Sequence, residues 1–294
     1  INMPSSYFQM LQDEAPAEDA APAEDAAPAD DAAPADDAAP ADAAPAAGNG
    51  EVTFPDDYPN SVKHFLLLGA IALFVGAIVF MVLNVIRPKK TVSHSVTFIM
   101  AAASALSYYA MWTGLGVSYK TTDTTPRVIF FSRYFGHLIS MPLMIVDMCL
   151  IYKLEVAELV ALVGYDVVMI LAGLMGALSV HGHKWLWWCV SGGFAVLIVV
   201  ALLQKLQSGE DAAKILTYIT IFATLGFPLI WLLGSEGTAA VGLSQEVGLI
   251  AVGDLISVLG FGFYFLLNYD ALLPEEEGGE ETEALQEGDS QQYV

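Results

Sequence analysis

Four charged side chains stand inside stretches of sequence that are otherwise almost wholly apolar. They are Arg133, Asp147, Asp166 and Asp254. Side chains of these types can transfer protons, bind ions or form ion pairs. An ionisable side chain at membrane depth is costly, so it normally faces a polar partner or a water-filled path. Two interpretations stay open. These groups mark a path for protons or ions, or they form a buried ion pair together with neutral, hydrogen-bonded carboxyls.

Arg133 and Asp254 are predicted to form such an ion pair. Arg133 stands near the outer end of the third apolar stretch, and Asp254 lies about two turns into the seventh, at a comparable depth. Val258 follows Asp254 by four residues, so the two share one face of a helix. His137 follows Arg133 by one turn. Because no second His or Cys stands at ligand spacing, we expect a core histidine and no metal site.

Seven apolar stretches must position these residues, and each is about as long as a hydrocarbon core is thick. Backbone polar groups at that depth must be satisfied within the segment, which favours helices. The stretches are Phe65–Ile86, Val96–Val117, Val128–Tyr152, Val156–Val180, Trp185–Leu203, Ala213–Gly234 and Val247–Leu267. Their short connections make neighbouring helices antiparallel, so the sequence predicts an all-α membrane protein with a seven-helix bundle.

The net charge of −22 belongs to two acidic tails. Residues 1–62 carry 14 acidic side chains and residues 270–294 carry 9, without a Lys or Arg in either segment. Ala-Pro-Ala-Glu-Asp-Ala repeats within 13–47 place a proline every six residues, which opposes regular helix. We therefore expect disordered tails at 1–62 and 271–294 around a membrane domain at 63–270. The tails could contact other membrane proteins, whereas no basic patch predicts nucleic-acid binding.

The basic cluster Arg87-Pro88-Lys89-Lys90 follows the first apolar stretch. By the positive-inside rule this loop is cytoplasmic. The N-terminal tail is then expected outside the cell or in a lumen, and the C-terminal tail in the cytoplasm.

Stretches two to seven contain several distinctive motifs. They are RYFGHLISMPLMIVD, ALVGYDVVMILAGLMGALS, WLWW, FPLIWLLGSEG and, from Asp254, DLISVLGFG. Together they resemble the microbial rhodopsins, which are seven-helix retinal proteins. The resemblance assigns Tyr108, Trp188, Pro228 and Trp231 to the retinal pocket. It assigns Arg133, Asp147, Asp166, Asp254, Glu236 and Glu246 to the polar positions; in pumps of the family, the position of Asp147 supplies a proton and those of Glu236 and Glu246 release one.

The departures from the family pattern concern the chromophore. The lysine that carries retinal falls at Val258, which has no amine for a Schiff base. The carboxylate that accepts the Schiff-base proton falls at Gly136. The aromatic rings that enclose the polyene fall at His137 and Thr224, and a pocket tyrosine falls at Phe227. We therefore expect a degraded retinal pocket and no covalent cofactor, with non-covalent retinal left open.

Three functions follow, and none is enzymatic. The first is a non-photochemical membrane protein with a structural, stress-related or partner-binding role, since lysine-less members of the family occur among fungal stress-induced membrane proteins. The second is a light-driven proton pump or photosensor that holds retinal non-covalently. The third is a passive proton or ion pathway. The bilayer is the expected surrounding, and homo-oligomer formation stays open.

Overall fold

The computed structural model describes residues 51–52, 57–86, 92–121, 126–179, 182–207 and 209–273. The acidic repeats at 13–47, the basic cluster at 87–90 and the C-terminal tail beyond 273 lie outside these residues. The predictions made for those segments therefore remain predictions.

Seven long apolar helices form the fold, as the sequence predicts. Most begin or end within a few residues of the expected positions. The helices are α1 (Asn60–Ile86), α2 (Val92–Thr113), α3 (Phe131–Ile151), α4 (Val156–Leu178), α5 (His183–Lys205), α6 (Asp211–Leu233) and α7 (Leu243–Leu267), followed by a short α8 (Tyr269–Leu272).

Helices that are neighbours in sequence pack against one another, and α7 returns to pack against α1. α3 also contacts α6 across the bundle, so α3, α6 and α7 enclose a common interior. Large apolar side chains such as Leu68, Phe74 and Val85 are exposed on the outside, whereas Arg133, Asp147 and Asp166 are buried inside. This inverted distribution is what a bundle surrounded by hydrocarbon requires.

The seventh helix changes its winding at the position that the chromophore lysine would occupy. Its α-helical part Leu243–Asp254 passes into a π-helical segment, Leu255–Gly260, and resumes as α-helix over Phe261–Leu267. The wider turn contains Val258, whose side chain is buried. π-Helical turns inside α-helices are frequent at functional sites.

A small antiparallel sheet, which the sequence analysis did not predict, lies beside the helices. Its strands are β1 (Glu51–Val52), β2 (Ser118–Lys120) and β3 (Val128–Phe130), in the order β1-β2-β3. Glu51 is opposite Lys120, and Lys120 is opposite Val128.

Several of the expected boundaries differ from those in the structure. Residues 128–130 were expected to begin the third helix, but they pair with β2 instead, and α3 begins at Phe131. The expected tail at 1–62 overlaps β1 and the first turn of α1, and the expected end at 270 falls inside α8. The described helices therefore begin at Asn60 and continue to Leu272.

Candidate functional site

A cavity of about 370 Å³ lies among α3, α6 and α7. Four of the eight residues assigned to the degraded retinal pocket line it: His137, Phe227, Trp231 and Val258. The wall is largely apolar, and the Phe227 ring stands perpendicular to the imidazole of His137 with 5.4 Å between ring centroids. Its size lies near the lower end of the range for small-molecule sites.

Val258 stands on the cavity wall with 4% of its surface exposed. Within the described part of the chain, no lysine lines the cavity. Formation of a Schiff base requires a primary amine, and neither Val258 nor the other described wall residues supply one.

Asp254 binds two partners, and Arg133 is not one of them. Its Oδ2 accepts a hydrogen bond of 2.6 Å from the Tyr108 hydroxyl on α2, and its Oδ1 lies 3.0 Å from Nε2 of His137 on α3. Both carboxylate oxygens are therefore engaged. His137 stands where the family has an enclosing ring, and here it provides the aspartate with a polar partner.

The predicted Arg133–Asp254 ion pair is wrong. Arg133 Nη1 instead donates to Glu246 Oε1 at 2.8 Å, and both side chains are buried. Glu246 Oε2 also accepts from the backbone N–H and the hydroxyl of Ser235, at 2.8 and 2.7 Å. The long arginine side chain reaches the N-terminal end of α7, because α7 begins at Leu243 and places Glu246 in its first turn.

Glu236 lies in the connection between α6 and α7 and forms a cluster with Arg133 and Glu246. Its Oε2 accepts from the Tyr134 hydroxyl at 2.7 Å, while its Oε1 has no hydrogen-bond partner among the described residues. Burial, together with the neighbouring Glu246, raises the pKa of Glu236 from 4.5 to about 7, against the opposing effect of Arg133. This carboxyl can therefore exchange a proton near neutral pH.

Gly136, at the position of the family's acceptor carboxylate, faces a serine. A Cβ placed on Gly136 would lie 2.7 Å from the hydroxyl oxygen and 2.8 Å from the Cβ of Ser107. That hydroxyl donates to the backbone carbonyl of Ser132. Ser107 thus occupies the space that an acidic side chain at position 136 would need.

The remaining four pocket residues do not line the cavity. Tyr108 supports Asp254, as described above. The Trp188 indole donates to the carbonyl of Pro228 at 2.9 Å and ties α5 to α6. Thr224 is fully buried away from the cavity, and its hydroxyl has no described hydrogen-bond partner.

Trp231, in contrast, lines the cavity, and its indole N–H donates to the Gly173 carbonyl at 3.1 Å.

Two further carboxyl groups stand apart from the cavity. Asp147 and Asp166 are fully buried, and neither lines the cavity. Asp147 lies beside Ser93 of α2. Asp166 has no hydrogen-bond partner among the described residues. An unpaired, ionised carboxylate is costly at such depth. The six polar positions thus form a cluster of Arg133, Glu236 and Glu246, the Asp254 group and two separate buried acids.

The sequence analysis missed several wall residues, among them Ser140, Met141, Met144, Gly226 and Gly253. Three of these follow His137 along α3 at intervals of three, four and seven residues. That spacing keeps residues on one helical face, so it could have identified them once His137 was placed inside. The two glycines give no such signal.

Comparison with known proteins agrees with this architecture. A family model described as bacteriorhodopsin-like protein matches residues 60–272. Bacteriorhodopsin of Halobacterium salinarum is 29% identical over 227 residues, covering 74% of this chain and 86% of that protein. Bacteriorhodopsin-I of Haloquadratum walsbyi (strain DSM 16854 / JCM 12705 / C23) is 30% identical over 236 residues, covering 76% and 91%.

A solved structure shows the same fold. Thermophilic rhodopsin from Rubrobacter xylanophilus superposes with a TM-score of 0.66 at 28% identity, covering 72% of this chain and 97% of that one. The family match extends from the first residue of α1 to the last residue of α8 and so includes every helix that builds the cavity. The chain therefore belongs to the bacteriorhodopsin-like family of microbial rhodopsins.

Proposed function

We propose that this chain is a non-photochemical member of its family, which forms no retinal Schiff base and serves a structural, stress-related or partner-binding role in the membrane. The observation that carries the proposal is Val258 on the cavity wall, where the family's chromophore lysine would stand. The surroundings of Val258 agree with it. Asp254, the nearest acidic partner on the same helix, already binds Tyr108 and His137.

The test is a visible absorption spectrum. The full chain is expressed and purified with all-trans-retinal present, and bacteriorhodopsin from Halobacterium salinarum is prepared in the same way as the positive control. We expect no visible band that borohydride bleaches and no light-induced pH change in vesicles. A bleachable band, or a light-induced pH change, would contradict the proposal.

A second candidate is non-covalent retinal binding, and the cavity itself favours it. About 370 Å³ remain among α3, α6 and α7, and aromatic residues Phe227 and Trp231 still contribute to the wall. The relatives carry the names of rhodopsins, so retinal is the first ligand to test. A visible band that survives gel filtration, but leaves no retinal attached after borohydride and denaturation, would support this candidate over the first.

A third candidate is a passive proton pathway, favoured by the buried carboxyls of Asp147 and Asp166. A pathway of this kind works in the dark. The measurement is proton leak into vesicles under an imposed pH gradient, with Asp147→Asn as the variant. A leak that exceeds that of empty vesicles and falls in the variant would support it.

The acidic tails are the proposed contact elements, with the N-terminal tail outside or lumenal and the C-terminal tail cytoplasmic. The proposal rests on their charge and on the basic cluster at 87–90. Protease applied to intact cells should trim only the tail on the exposed face. Trimming of the C-terminal tail alone would reverse the proposed orientation.

A further inference from the structure

We propose that the cavity binds a long-chain alcohol from the bilayer, which enters between α6 and α7 and places its hydroxyl on Ser140. The inference goes beyond the proposed function and rests on it in one respect, because retinal bound in the same cavity would exclude the alcohol.

The first observation is that the cavity wall continues onto the outer surface of the bundle. Four wall residues are about half exposed, two on α6 and two on α7. They are Phe222 (51%), Leu229 (51%), Leu249 (47%) and Val252 (55%). In a membrane-spanning chain this surface contacts lipid, so the cavity opens sideways towards the hydrocarbon.

Two glycines leave this opening clear. Gly226 on α6 and Gly253 on α7 both line the cavity, and a Cβ placed on either would meet no heavy atom within 4 Å. Gly226 lies about 10 Å from the Leu233 end of α6, and Gly253 about 15 Å from the Leu243 end of α7, at the α-helical rise per residue. These ends belong to the same side of the bundle, so the opening lies near the middle of a hydrocarbon core of about 30 Å.

The occupant must be uncharged. Arg133 binds Glu246, and Asp254 binds His137 and Tyr108. Glu236 accepts from Tyr134, and its other carboxylate oxygen is fully buried. A charged head group would also have to cross the hydrocarbon to reach an opening at this depth, which is costly. Met100, Met141 and Met144 form part of the inner wall. Flexible methionine side chains adapt to a chain of irregular shape.

Three polar atoms of described wall residues lack a hydrogen-bond partner. His137 Nδ1 and Glu236 Oε1 are themselves fully buried, which leaves the hydroxyl of Ser140 as the group to consider. Ser140 is buried, it lines the cavity, and its hydroxyl makes no hydrogen bond to another described residue. It follows His137 by three residues and so lies on the same face of α3. Buried polar groups are normally hydrogen-bonded. A serine hydroxyl both donates and accepts, so the hydroxyl of an alcohol satisfies it in either direction.

The experiment uses the full chain in lipid vesicles and a long-chain fatty alcohol with a photoactivatable diazirine next to its hydroxyl end. With the hydroxyl on Ser140, the diazirine lies beside Met141 and Met144, which are buried away from the outer lipid. We expect labelling of the peptide that carries these residues. Absence of labelling there would overturn the proposal.

Glycine variants test the route. Gly226→Leu and Gly253→Leu should each lower the labelling by about tenfold, which corresponds to about 1.4 kcal/mol. Gly193→Leu on α5 is the matched control, because Gly193 also has open space around its Cβ position but lies outside the cavity wall. Unchanged labelling in both cavity variants would exclude entry between α6 and α7. If a leucine variant fails to fold, the double variant Gly226→Ala/Gly253→Ala should lower the labelling by a smaller factor.

Competition by unlabelled molecules tests whether the hydroxyl of the alcohol binds Ser140. Unlabelled alcohol should compete better than an alkane of the same length in the wild type. Ser140→Ala should weaken competition by the alcohol about threefold to tenfold, the ratio expected for one neutral hydrogen bond, and leave the alkane unaffected. Equal competition by alcohol and alkane in the wild type would refute the assignment of Ser140. A pigment, which would contradict the proposed function, is detected separately in the visible spectrum.

Discussion

Nε2 of His137 lies 3.0 Å from Oδ1 of Asp254, and the imidazole thereby occupies the side of the aspartate that faces α3. Tyr108 occupies the other oxygen from α2. The aspartate therefore links α2, α3 and α7 inside the bundle. Arg133 instead pairs with Glu246 in the first turn of α7.

The first prediction concerns this exchange of partners. Glu246→Gln removes the counter-charge that is hydrogen-bonded to the buried Arg133 and should lower the free energy of unfolding by about 3–5 kcal/mol. The double variant Glu246→Gln/Arg133→Gln should recover part of that loss. The measurement is equilibrium unfolding in mixed detergent micelles, analysed as a double-mutant cycle.

The matched control cycle pairs Arg133→Gln with Asp254→Asn. Its coupling energy should be clearly smaller, because the two side chains have separate partners. A larger coupling for Arg133 and Asp254 than for Arg133 and Glu246 would contradict the observed pairing.

The second prediction concerns the pH dependence of stability from Glu236. Its pKa is about 7 in the folded chain and 4.5 as the ordinary value, so between these values the folded state binds more protons than the unfolded state. The contribution of Glu236 to the free energy of unfolding is therefore fully present below about pH 4.5 and is lost as the pH rises to about 7. The loss is of the order of 3 kcal/mol.

Glu236→Gln isolates that contribution. The amide keeps an oxygen that can accept from Tyr134, but it does not titrate. As the pH rises from about 4.5 to 7, the wild type should lose unfolding free energy relative to the variant, because only the wild type carries the titrating carboxyl. A difference that stays constant over this range would show that Glu236 does not titrate there.

The third prediction concerns Gly136 and the lost acceptor carboxylate. Gly136→Ala forces its Cβ against the side chain of Ser107 and should destabilise the bundle by about 1–3 kcal/mol. Gly193→Ala is the matched control; with open space around it, alanine should be neutral or slightly stabilising in this helix. Equal unfolding free energies for the two variants would show that Ser107 moves aside freely.

The helices could be predicted from the sequence because apolar length alone identifies a membrane span. The family motifs placed His137, Phe227, Trp231 and Val258 near one another, and all four line the cavity. The ion pair could not be predicted in this way. Depth does not specify the rotation of a helix about its axis, and the expected start of the seventh helix at Val247 excluded Glu246 from it.

Other features gave no readable signal. Strands of two or three residues, such as β1 and β3, are too short to show an alternating pattern. The opening between α6 and α7 depends on where Gly226 and Gly253 lie relative to each other, and a glycine in a helix is equally compatible with close packing and with open space. Ser107 likewise has a role only through its position beside Gly136.

The last prediction tries to restore a pigment. Val258→Lys places an amine on the cavity wall, but both oxygens of Asp254 are already bound by Tyr108 and His137. We therefore expect little visible absorbance after all-trans-retinal is added. Val258→Met is the control, since the methionine side chain is similar in length to that of lysine and has no amine.

Adding His137→Trp to Val258→Lys should raise the pigment yield, because the change removes the competing imidazole from Asp254 and supplies a ring on the wall. Adding Thr224→Trp should lower the yield, because Thr224 is fully buried away from the cavity and a tryptophan there would overpack α6. Borohydride bleaching of the visible band measures the covalent product in each variant. A strong, stable pigment from Val258→Lys alone would show that the His137–Asp254 contact does not obstruct the chromophore. Non-covalent retinal would then become the stronger candidate for the natural chain.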